Sequence, residues 1–290
     1  MKPILEDLVR LLSLERIDTN LFRGESRDIG THRVFGGQVL GQALAAANLT
    51  TEDRHVHSLH AYFLREGDHE APIVYQVDRQ RDGRSFSNRR VVAIQHGRPI
   101  LNLAASFQKP EEGFEHQVEF PPNVPAPEEL TDIAEYQREL IAEVPADELP
   151  RQFLLDRPFE FRPVYPPQFT DVEARPPKQQ VWLRAVDTLP DDEDLHRNML
   201  AYVSDYYLLP TALRPHALSL FSPNLQVASL DHALWLHRPF RLDEWLLYSI
   251  ESPNAAGARG LSRGQIFRRD GALVANVVQE GVTRLWESSD

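Results

Sequence analysis

The two halves of this 290-residue sequence repeat one pattern of strand-like segments. Residues 56–60 read VHSLH and residues 227–231 read VASLD, so that Ser58 and Ser229 stand 171 positions apart. A repeat on this scale indicates that the chain contains two copies of one supersecondary unit, which bury a continuous core by packing together.

The closing segments of the two halves also correspond. In each half two apolar runs flank a glycine turn, at Gly97 and at Gly271, which stand 174 positions apart. The three additional residues are expected in a loop from Ser252 to Gly257, because surface loops tolerate insertions.

A long helix is predicted before the strands of each half. The first, FGGQVLGQALAAA at 35–47, consists of small apolar residues, and the second, from Leu195 to Leu213, is apolar nearly all the way round. A helix without a polar stripe is usually buried. The pattern predicts an α+β fold with two antiparallel sheets side by side, each wrapping a long central helix.

The domain boundaries follow from composition. Residues 1–110 form the predicted N-terminal unit and residues 150–290 the C-terminal unit, which carries the candidate catalytic residues. Between them, residues 111–149 are rich in proline and are predicted to be a linker with a short helix near Leu130 to Val144.

Composition excludes several classes of protein. The net charge is -12, which argues against nucleic acid or an anionic membrane surface as a partner. With no cysteine, disulfides and thiolate metal sites are impossible, and no metal or other cofactor is predicted. The acidic N-terminus lacks the features of a signal peptide, and no apolar run could span a bilayer, so we expect a cytoplasmic protein.

Asp205 is the most informative polar residue, because it falls inside the apolar second helix. A buried carboxylate must be hydrogen-bonded, paired or protonated. Gln279 is a second candidate: on the last strand it shares a face with Leu273, Ala275 and Val277 and therefore points into the core. The Asp205 carboxylate either belongs to a structural network or acts as a reacting group.

Ser229, on the strand after the second helix, could join these two groups. An Asp, a Ser and a Gln at one buried point can hold a water molecule, with the carboxylate as general base. Strict alternation would place Ser229 on the same face as Asp231 and on the opposite face from Leu230, which is expected to point into the core. For Ser229 to reach the core face, a bulge or an edge position is required. The neighbouring pair Asp231 and His232 is not predicted to share a site, since adjacent strand residues face opposite ways.

Seven stretches of the sequence occur in the same order in one known family, and together they cover nearly the whole chain. They are VFGGQVLGQAL at 34–44, SLHAYFLREGD at 58–68, RDGRSFSNRRV at 81–91, ASFQKPEEGFEHQ at 105–117, SDYYLLPTAL at 204–213, LDHALWLHRPF at 230–240 and VQEGVTR at 278–284. The chain thus resembles the bacterial type II acyl-CoA thioesterases, which are double hotdog proteins.

The resemblance implies an activity and three residues that carry it. The activity is hydrolysis of acyl-CoA to free fatty acid and coenzyme A, without a cofactor. Asp205, Ser229 and Gln279 match the family's Asp, Thr or Ser, and Gln, which orient the hydrolytic water. Ser229 keeps the hydroxyl but lacks the methyl group with which a threonine restricts its rotamer. The exposed sheet edges also favour a homo-oligomer, either a dimer or a tetramer.

Further residues become candidates for substrate binding. Backbone N–H groups of Gly36 and Gly37 open the first helix and could polarise the thioester carbonyl or bind a phosphate, although close helix packing explains these glycines somewhat better. Clustered arginines could bind the phosphates of coenzyme A. The arginines selected are Arg84, Arg89, Arg259 and Arg263.

Two other functions remain open. One is an enoyl-CoA hydratase on the same fold, which a neighbouring Asp and His on the helix and its leading loop would favour; His196 is too many turns from Asp205 to provide that pair. The other is a protein that binds or senses acyl-CoA without turnover. The segment GLSRG at 260–264 matches the G-x-S-x-G motif of serine hydrolases, but strand-like sequence follows it instead of the required helix, and no histidine lies downstream, since the last one is His237.

Overall fold

The structure is a computed structural model that describes residues 1–145, 149–169 and 172–286. The α-helices are α1 Pro3–Leu12, α2 Gly36–Asn48, α3 Ile133–Glu143, α4 Glu193–Val203 and α5 Leu208–Leu213. The strands of the first half are β1 Glu15–Asp18, β2 Leu21–Gly24, β3 His55–Phe63, β4 Ile73–Asp82, β5 Phe86–Gln95 and β6 Arg98–Gln108. Those of the second half are β7 Phe159–Pro163, β8 Lys178–Ala185, β9 Leu225–Ser229, β10 Asp231–Leu236, β11 Leu246–Ala256, β12 Arg259–Arg268 and β13 Leu273–Leu285.

These strands form one continuous antiparallel sheet of 13 strands, in the order β1-β2-β4-β5-β6-β3-β10-β13-β12-β11-β8-β7, with β9 also paired to β13. The predicted repeat is visible in this order, since β2-β4-β5-β6-β3 corresponds to β8-β11-β12-β13-β10. The prediction of two separate sheets is wrong in one respect: β3 and β10 pair with each other. Each would otherwise be an edge strand with unpaired backbone groups, and pairing satisfies both.

The junction of the two halves coincides with the axis of the repeat. His232 on β10 pairs with Ala61 on β3, and these two positions are themselves 171 residues apart, the offset that separates Ser58 from Ser229. The halves are therefore related by an approximate twofold rotation about this pair.

Helices α2 and α4 pack directly against each other. A Cβ atom at Gly37 would stand 2.1 Å from the carbonyl oxygen of Tyr202, and one at Gly41 would stand 3.0 Å from that of Asn198. Asn48 Nδ2 donates to Asn198 Oδ1 at 2.8 Å. Only glycine permits this approach of the two backbones.

The predicted second helix is interrupted in its middle. Helix α4 begins behind the Asp192 cap and ends at Val203, and α5 begins only at Leu208. Pro210 explains the break, because it cannot donate to the carbonyl of Tyr206 and clashes with it in a continuous helix. Tyr207 has a φ of 69°, and its carbonyl accepts from Gln179 Nε2 and Thr211 Oγ1. Asp205 lies in this break rather than within a helix.

One further segment differs from the sequence prediction, and a second makes a contact that the sequence did not predict. The segment expected as a loop from Ser252 is mostly strand: β11 continues to Ala256, with a register shift of one residue between Glu251 and Asn254. The proline-rich segment packs on the second half, where Trp182 Nε1 donates to the Pro125 carbonyl at 2.9 Å. The short helix expected there is α3, and the domain boundaries stay a prediction.

Candidate active site

The break between α4 and α5 directs Asp205 toward strand β13. Gln279 Nε2 donates a hydrogen bond of 2.5 Å to Asp205 Oδ1. Both side chains are nearly enclosed: that of Asp205 is 6% exposed and Gln279 is 1% exposed. Residues along β13 alternate between buried and half-buried as expected from the period of two, with Gln279 on the buried face. The sequence thus identified two groups that the structure brings into contact.

The surroundings of Asp205 suit a proton acceptor. Burial raises the pKa of its carboxyl group from 3.8 to about 6, because the charged form is poorly solvated there. The hydrogen bond from Gln279 and the backbone amide of Gly37 favour the charged form and keep the pKa from rising further. A base with this pKa is largely ionised at neutral pH and still accepts a proton readily.

A β-bulge resolves the strand-parity problem at Ser229. Ser229 on β9 pairs with Gly281 of β13, whereas Ala233 on β10 pairs with Val278 of the same strand. The four positions from Ser229 to Ala233 therefore lie opposite only three positions of β13, from Gly281 to Val278. This mismatch is the signature of a bulge. As a result, Ser229 lies on the same face of the sheet as Gln279, and the expectation of a bulge or an edge position is confirmed as a bulge.

The strand register establishes where Ser229 lies relative to Gln279. Ser229 is half-buried, and its register places it two residues from Gln279 on the same face. Although Ser229, Asp205 and Gln279 all lie in described parts of the chain, no hydrogen bond links the Ser229 hydroxyl to either of the other two.

His232 is a buried member of this site that the sequence interpretation missed. Its side chain is 0% exposed, and its Nδ1 lies 3.2 Å from Gln279 Nε2 and 4.0 Å from Asp205 Oδ1. On the other side of the ring, Nε2 lies 3.0 Å from Ser204 Oγ. Two signals could have found it: parity places His232 with Leu234 and Leu236 on the core face, and its partner in the repeat, Ala61, is apolar.

Gly36 and Gly37 lie beside the carboxylate. A Cβ atom at Gly36 would stand 2.8 Å from Asp205 Oδ2 and 3.1 Å from Phe63 Cε1, so the site requires glycine there. Gly37 meets Tyr202 through its backbone, as close helix packing predicts, and its amide also acts on Asp205. The start of α2 therefore shapes the site as well as the core.

Aromatic rings form the wall next to Asp205. The ring centroids of Phe35 and Tyr206 are 4.7 Å apart, and those of Phe161 and Tyr207 are 5.4 Å apart. Phe35 also meets Tyr202 edge-on at 5.1 Å. This wall offers a hydrophobic surface to an apolar substrate group next to the buried carboxylate.

The structure does not support Arg89 as a substrate ligand. Arg89 is 2% exposed. Its guanidinium donates to the hydroxyl and carbonyl of Thr50, to Asp82 Oδ1 and to the carbonyls of Arg81 and Asn88. All five N–H donors of an arginine are used in this way, so none remains for a phosphate.

The other three predicted arginines are exposed but are not brought to Asp205. Arg259 and Arg263 lie on β12 and face away from Ser262, the residue that pairs with Gln279. They form ion pairs with Glu280 and Glu251 on the outer face of the sheet. Arg84 lies in the turn between β4 and β5. Strand alternation thus directs Arg259 and Arg263 to the side opposite the carboxylate.

Two half-buried arginines that were not predicted lie near the aromatic wall. Arg27 and Arg157 each lower the pKa of Tyr206, against the larger effect of burial, which raises it. Among the described residues, neither arginine forms an ion pair with an acidic side chain.

The serine-hydrolase pattern is structural here. Ser262 lies inside strand β12, is buried, and donates to the Leu208 carbonyl at 2.8 Å. Across the described ranges, no cluster of three or more His, Asp or Glu side chains could hold a metal ion, and no helix there is both long and apolar enough to cross a membrane.

Comparison with known proteins identifies the family. Residues 23–108 match the family model for the acyl-CoA thioesterase N-terminal domain, and residues 148–282 match that for acyl-CoA thioesterase. The chain is 46% identical to acyl-CoA thioesterase 2 of Haemophilus influenzae over 288 residues, which cover 99% of this chain and 100% of that protein. The chain belongs to the type II acyl-CoA thioesterase family.

Other relatives agree with this assignment. Human acyl-coenzyme A thioesterase 8 is 45% identical over 284 residues, covering 95% of this chain and 88% of that protein. A crystal structure of an acyl-CoA thioesterase II from Mycobacterium marinum has 41% identity and a TM-score of 0.78, covering 97% of this thioesterase and 99% of that chain. A hot dog fold protein from Alicyclobacillus acidocaldarius, with 18% identity and a TM-score of 0.77, covers the same 97% and 99% and supports the fold alone.

Proposed function

We propose that this thioesterase hydrolyses acyl-CoA thioesters to a free fatty acid and coenzyme A, with Asp205 as general base. The observation that carries the proposal is the buried Asp205 carboxylate, whose pKa is about 6 and which accepts the Gln279 hydrogen bond. This is a base that can be ionised at neutral pH inside an apolar site, as activation of water requires.

The reaction follows from these groups. Asp205 removes a proton from water as the water oxygen attacks the thioester carbonyl carbon, giving a tetrahedral oxyanion. The oxyanion collapses, the C–S bond breaks, and the sulfur receives the proton from Asp205. The products are a fatty acid, which ionises to its carboxylate, and coenzyme A with its free thiol.

Gln279 and Ser229 hold the water in this proposal. Gln279 Oε1 is buried and lacks a hydrogen-bond partner among the described residues. Leaving such an acceptor unpaired is costly, so it suits a ligand that donates a proton. Ser229, on the same face, would supply the second contact. The backbone amide of Gly36, at the positive end of α2, would stabilise the oxyanion.

The coenzyme A phosphates would be bound by Arg27 and Arg157. A half-buried arginine without an acidic partner is unusual, because desolvation of its charge is uncompensated. Both lie close enough to Tyr206 to change its pKa, so they could bind the anionic end of a substrate whose thioester reaches Asp205.

Three further features belong to the same proposal. The two halves of the sheet would each be a hotdog unit, built around α2 and around α4 with α5. Chains would pair into dimers or tetramers, with acyl-CoA as the partner ligand, and the compartment would be the cytoplasm. The outer strands β1 and β7 end the continuous sheet and are the edges open to pairing.

Release of free thiol from a series of acyl-CoAs, by the wild type and by Asp205→Asn, tests the function. Hydrolysis by the wild type and loss in the variant are expected, and equal rates would exclude Asp205 as the base. Tight binding of acyl-CoA in calorimetry without thiol release would instead indicate a binding or sensing protein. Hydration of an enoyl-CoA without thiol release would indicate a hydratase.

A further inference from the structure

A chain of hydrogen bonds leads from Asp205 through the protein interior to Ala201. Gln279 Nε2 lies 2.5 Å from Asp205 Oδ1 and 3.2 Å from His232 Nδ1. His232 Nε2 lies 3.0 Å from Ser204 Oγ, which donates to the Ala201 carbonyl at 3.1 Å. Every side chain between the two ends is buried.

One arrangement of protons satisfies this chain when Asp205 is ionised. The side-chain amide of Gln279 has two N–H groups, of which one donates to Asp205 and the other to His232 Nδ1. Nδ1 must then be unprotonated, and the ring carries its proton on Nε2, which donates to Ser204 Oγ. Turning the amide over would place Gln279 Oε1 against the Asp205 carboxylate, where two acceptors repel each other.

From this arrangement we propose that His232 is a positioning residue that fixes the orientation of the Gln279 amide. It acts through Gln279 and does not touch the reacting atoms. With the amide fixed, Nε2 supports the Asp205 charge and Oε1 remains directed toward the hydrolytic water. The inference rests on the proposed role of Asp205 as general base and adds a residue to it.

A Ser-His-Asp triad made of Ser204, His232 and Asp205 does not explain the same geometry. His232 Nδ1 and Asp205 Oδ1 are 4.0 Å apart, too far for a hydrogen bond, and the Gln279 amide bonds to both. Ser204 is 0% exposed, so its hydroxyl lies behind the imidazole and out of reach of a substrate.

Among Asp205, His232 and the surrounding tyrosines, Asp205 is the one whose pKa lies near neutral pH. Burial lowers the pKa of His232 from 6.5 to about 3, so the ring is neutral. Burial raises the pKa of Tyr202, Tyr206 and Tyr248. From outside the chain of hydrogen bonds, Arg27 lowers the pKa of Tyr202 and Tyr206, and Arg157 lowers that of Tyr206, in each case against the larger effect of burial.

Three substitutions of His232 distinguish a role in positioning the Gln279 amide from a role in packing of the core. Leucine at position 232 keeps the bulk and removes the acceptor. His232→Asn keeps an amide oxygen near the position of Nδ1, whereas His232→Gln carries its amide farther, near the position of Nε2. His196→Leu is the matched control, because His196 is likewise buried and accepts a hydrogen bond from the Leu242 amide, but it belongs to another part of the core.

The measurement is the pH profile of kcat and kcat/KM for thiol release from one acyl-CoA by the intact protein. For His232→Leu we expect kcat to fall ~10- to 100-fold with little change in KM. The acid limb should also move up by about one pH unit, because Asp205 loses a donor that stabilises its charge. His232→Gln should behave likewise, while His232→Asn should stay near the wild type and His196→Leu should keep the wild-type acid limb.

The outcomes distinguish the two proposals. If the wild type is active and Asp205→Asn is not, but His232→Leu keeps the wild-type kcat and acid limb, the role of His232 is excluded. It is also excluded if all three His232 variants lose activity equally with the acid limb unchanged. Should His232→Leu fail to fold, the comparison of Asn with Gln at this position gives the same decision. A wild type that releases no thiol, or a fully active Asp205→Asn, refutes the proposed function itself.

Discussion

Ser229 and His232 face the same side of the sheet, although they are three positions apart in the chain. Regular alternation would place them on opposite faces, and the bulge between β9 and β10 brings both next to Gln279. One irregularity in the backbone thus assembles the polar side of a site whose acid comes from the break between α4 and α5.

The hydroxyl at position 229 should matter more than its exact side chain. We expect Ser229→Ala to lower kcat by about tenfold or more, because one contact to the water is lost. Ser229→Thr should equal or exceed the wild type, since the added methyl group restricts the rotamer of the hydroxyl. Steady-state kinetics of thiol release measures both, and an unchanged kcat for Ser229→Ala would remove this residue from the site.

Gly36 should be intolerant of even one methyl group. In Gly36→Ala the new Cβ would stand 2.8 Å from Asp205 Oδ2, so the carboxylate must shift from the position in which it accepts the Gln279 hydrogen bond. A loss of about 100-fold in kcat is expected. Gly41→Ala is the control: its Cβ would stand 3.0 Å from the Asn198 carbonyl and from Leu12 Cδ2, which should reduce thermal stability and leave kcat near the wild type. Equal effects of the two substitutions on kcat would contradict the prediction.

Removing the Asp205 charge should stabilise the protein as it abolishes activity. The folded-state pKa, about 6, lies above the ordinary value of 3.8, so the stability contributed by the protonated carboxyl is complete below pH 3.8 and is lost as pH rises through 6. The difference corresponds to about 3 kcal/mol at neutral pH. Urea unfolding of the wild type and Asp205→Asn at pH 4.5 and 7.5 should show the advantage of the variant growing with pH; a constant difference would argue against a raised pKa.

Arg27 and Arg157 should contribute to binding of the coenzyme A phosphates. Substitution of either by alanine is expected to raise KM for an acyl-CoA about tenfold, with a smaller change in kcat. The matched substrate is the corresponding acyl-pantetheine thioester, which lacks phosphates and should show no such increase. If KM rises equally for both substrates, the arginines do not act on the phosphates.

The sequence was sufficient for those parts of the fold that depend on periodicity. The burial of Gln279 follows from alternation along β13, and the correspondence between the two halves follows from the repeat. The join between β3 and β10 could not be predicted, because apolar pattern describes the faces of a strand and not its edges. Nor did apolar pattern distinguish one helix from two at Asp205, although Pro210 marked the break.

The site was predictable where the backbone is regular. His232 was set aside because its neighbour Asp231 faces the other way, yet its own parity directs it to the core beside Leu234. Strand parity indicated that Ser229 required a bulge or an edge position, and the register of β9 and β10 on β13 shows that it is a bulge. The arginines illustrate the opposite case: clustering in sequence indicated Arg89, but its donors are all used by backbone and side-chain groups within the protein.

The most direct test of Asp205 as general base is the dependence of kcat/KM on pH for an acyl-CoA that the wild type hydrolyses. Because the base must be ionised, the rate should fall as pH decreases, with a midpoint at about 6. Asp205→Asn should show neither this acid limb nor appreciable thiol release. A wild-type rate that is constant from about pH 5 to pH 8, or an acid limb that survives in Asp205→Asn, would contradict the account.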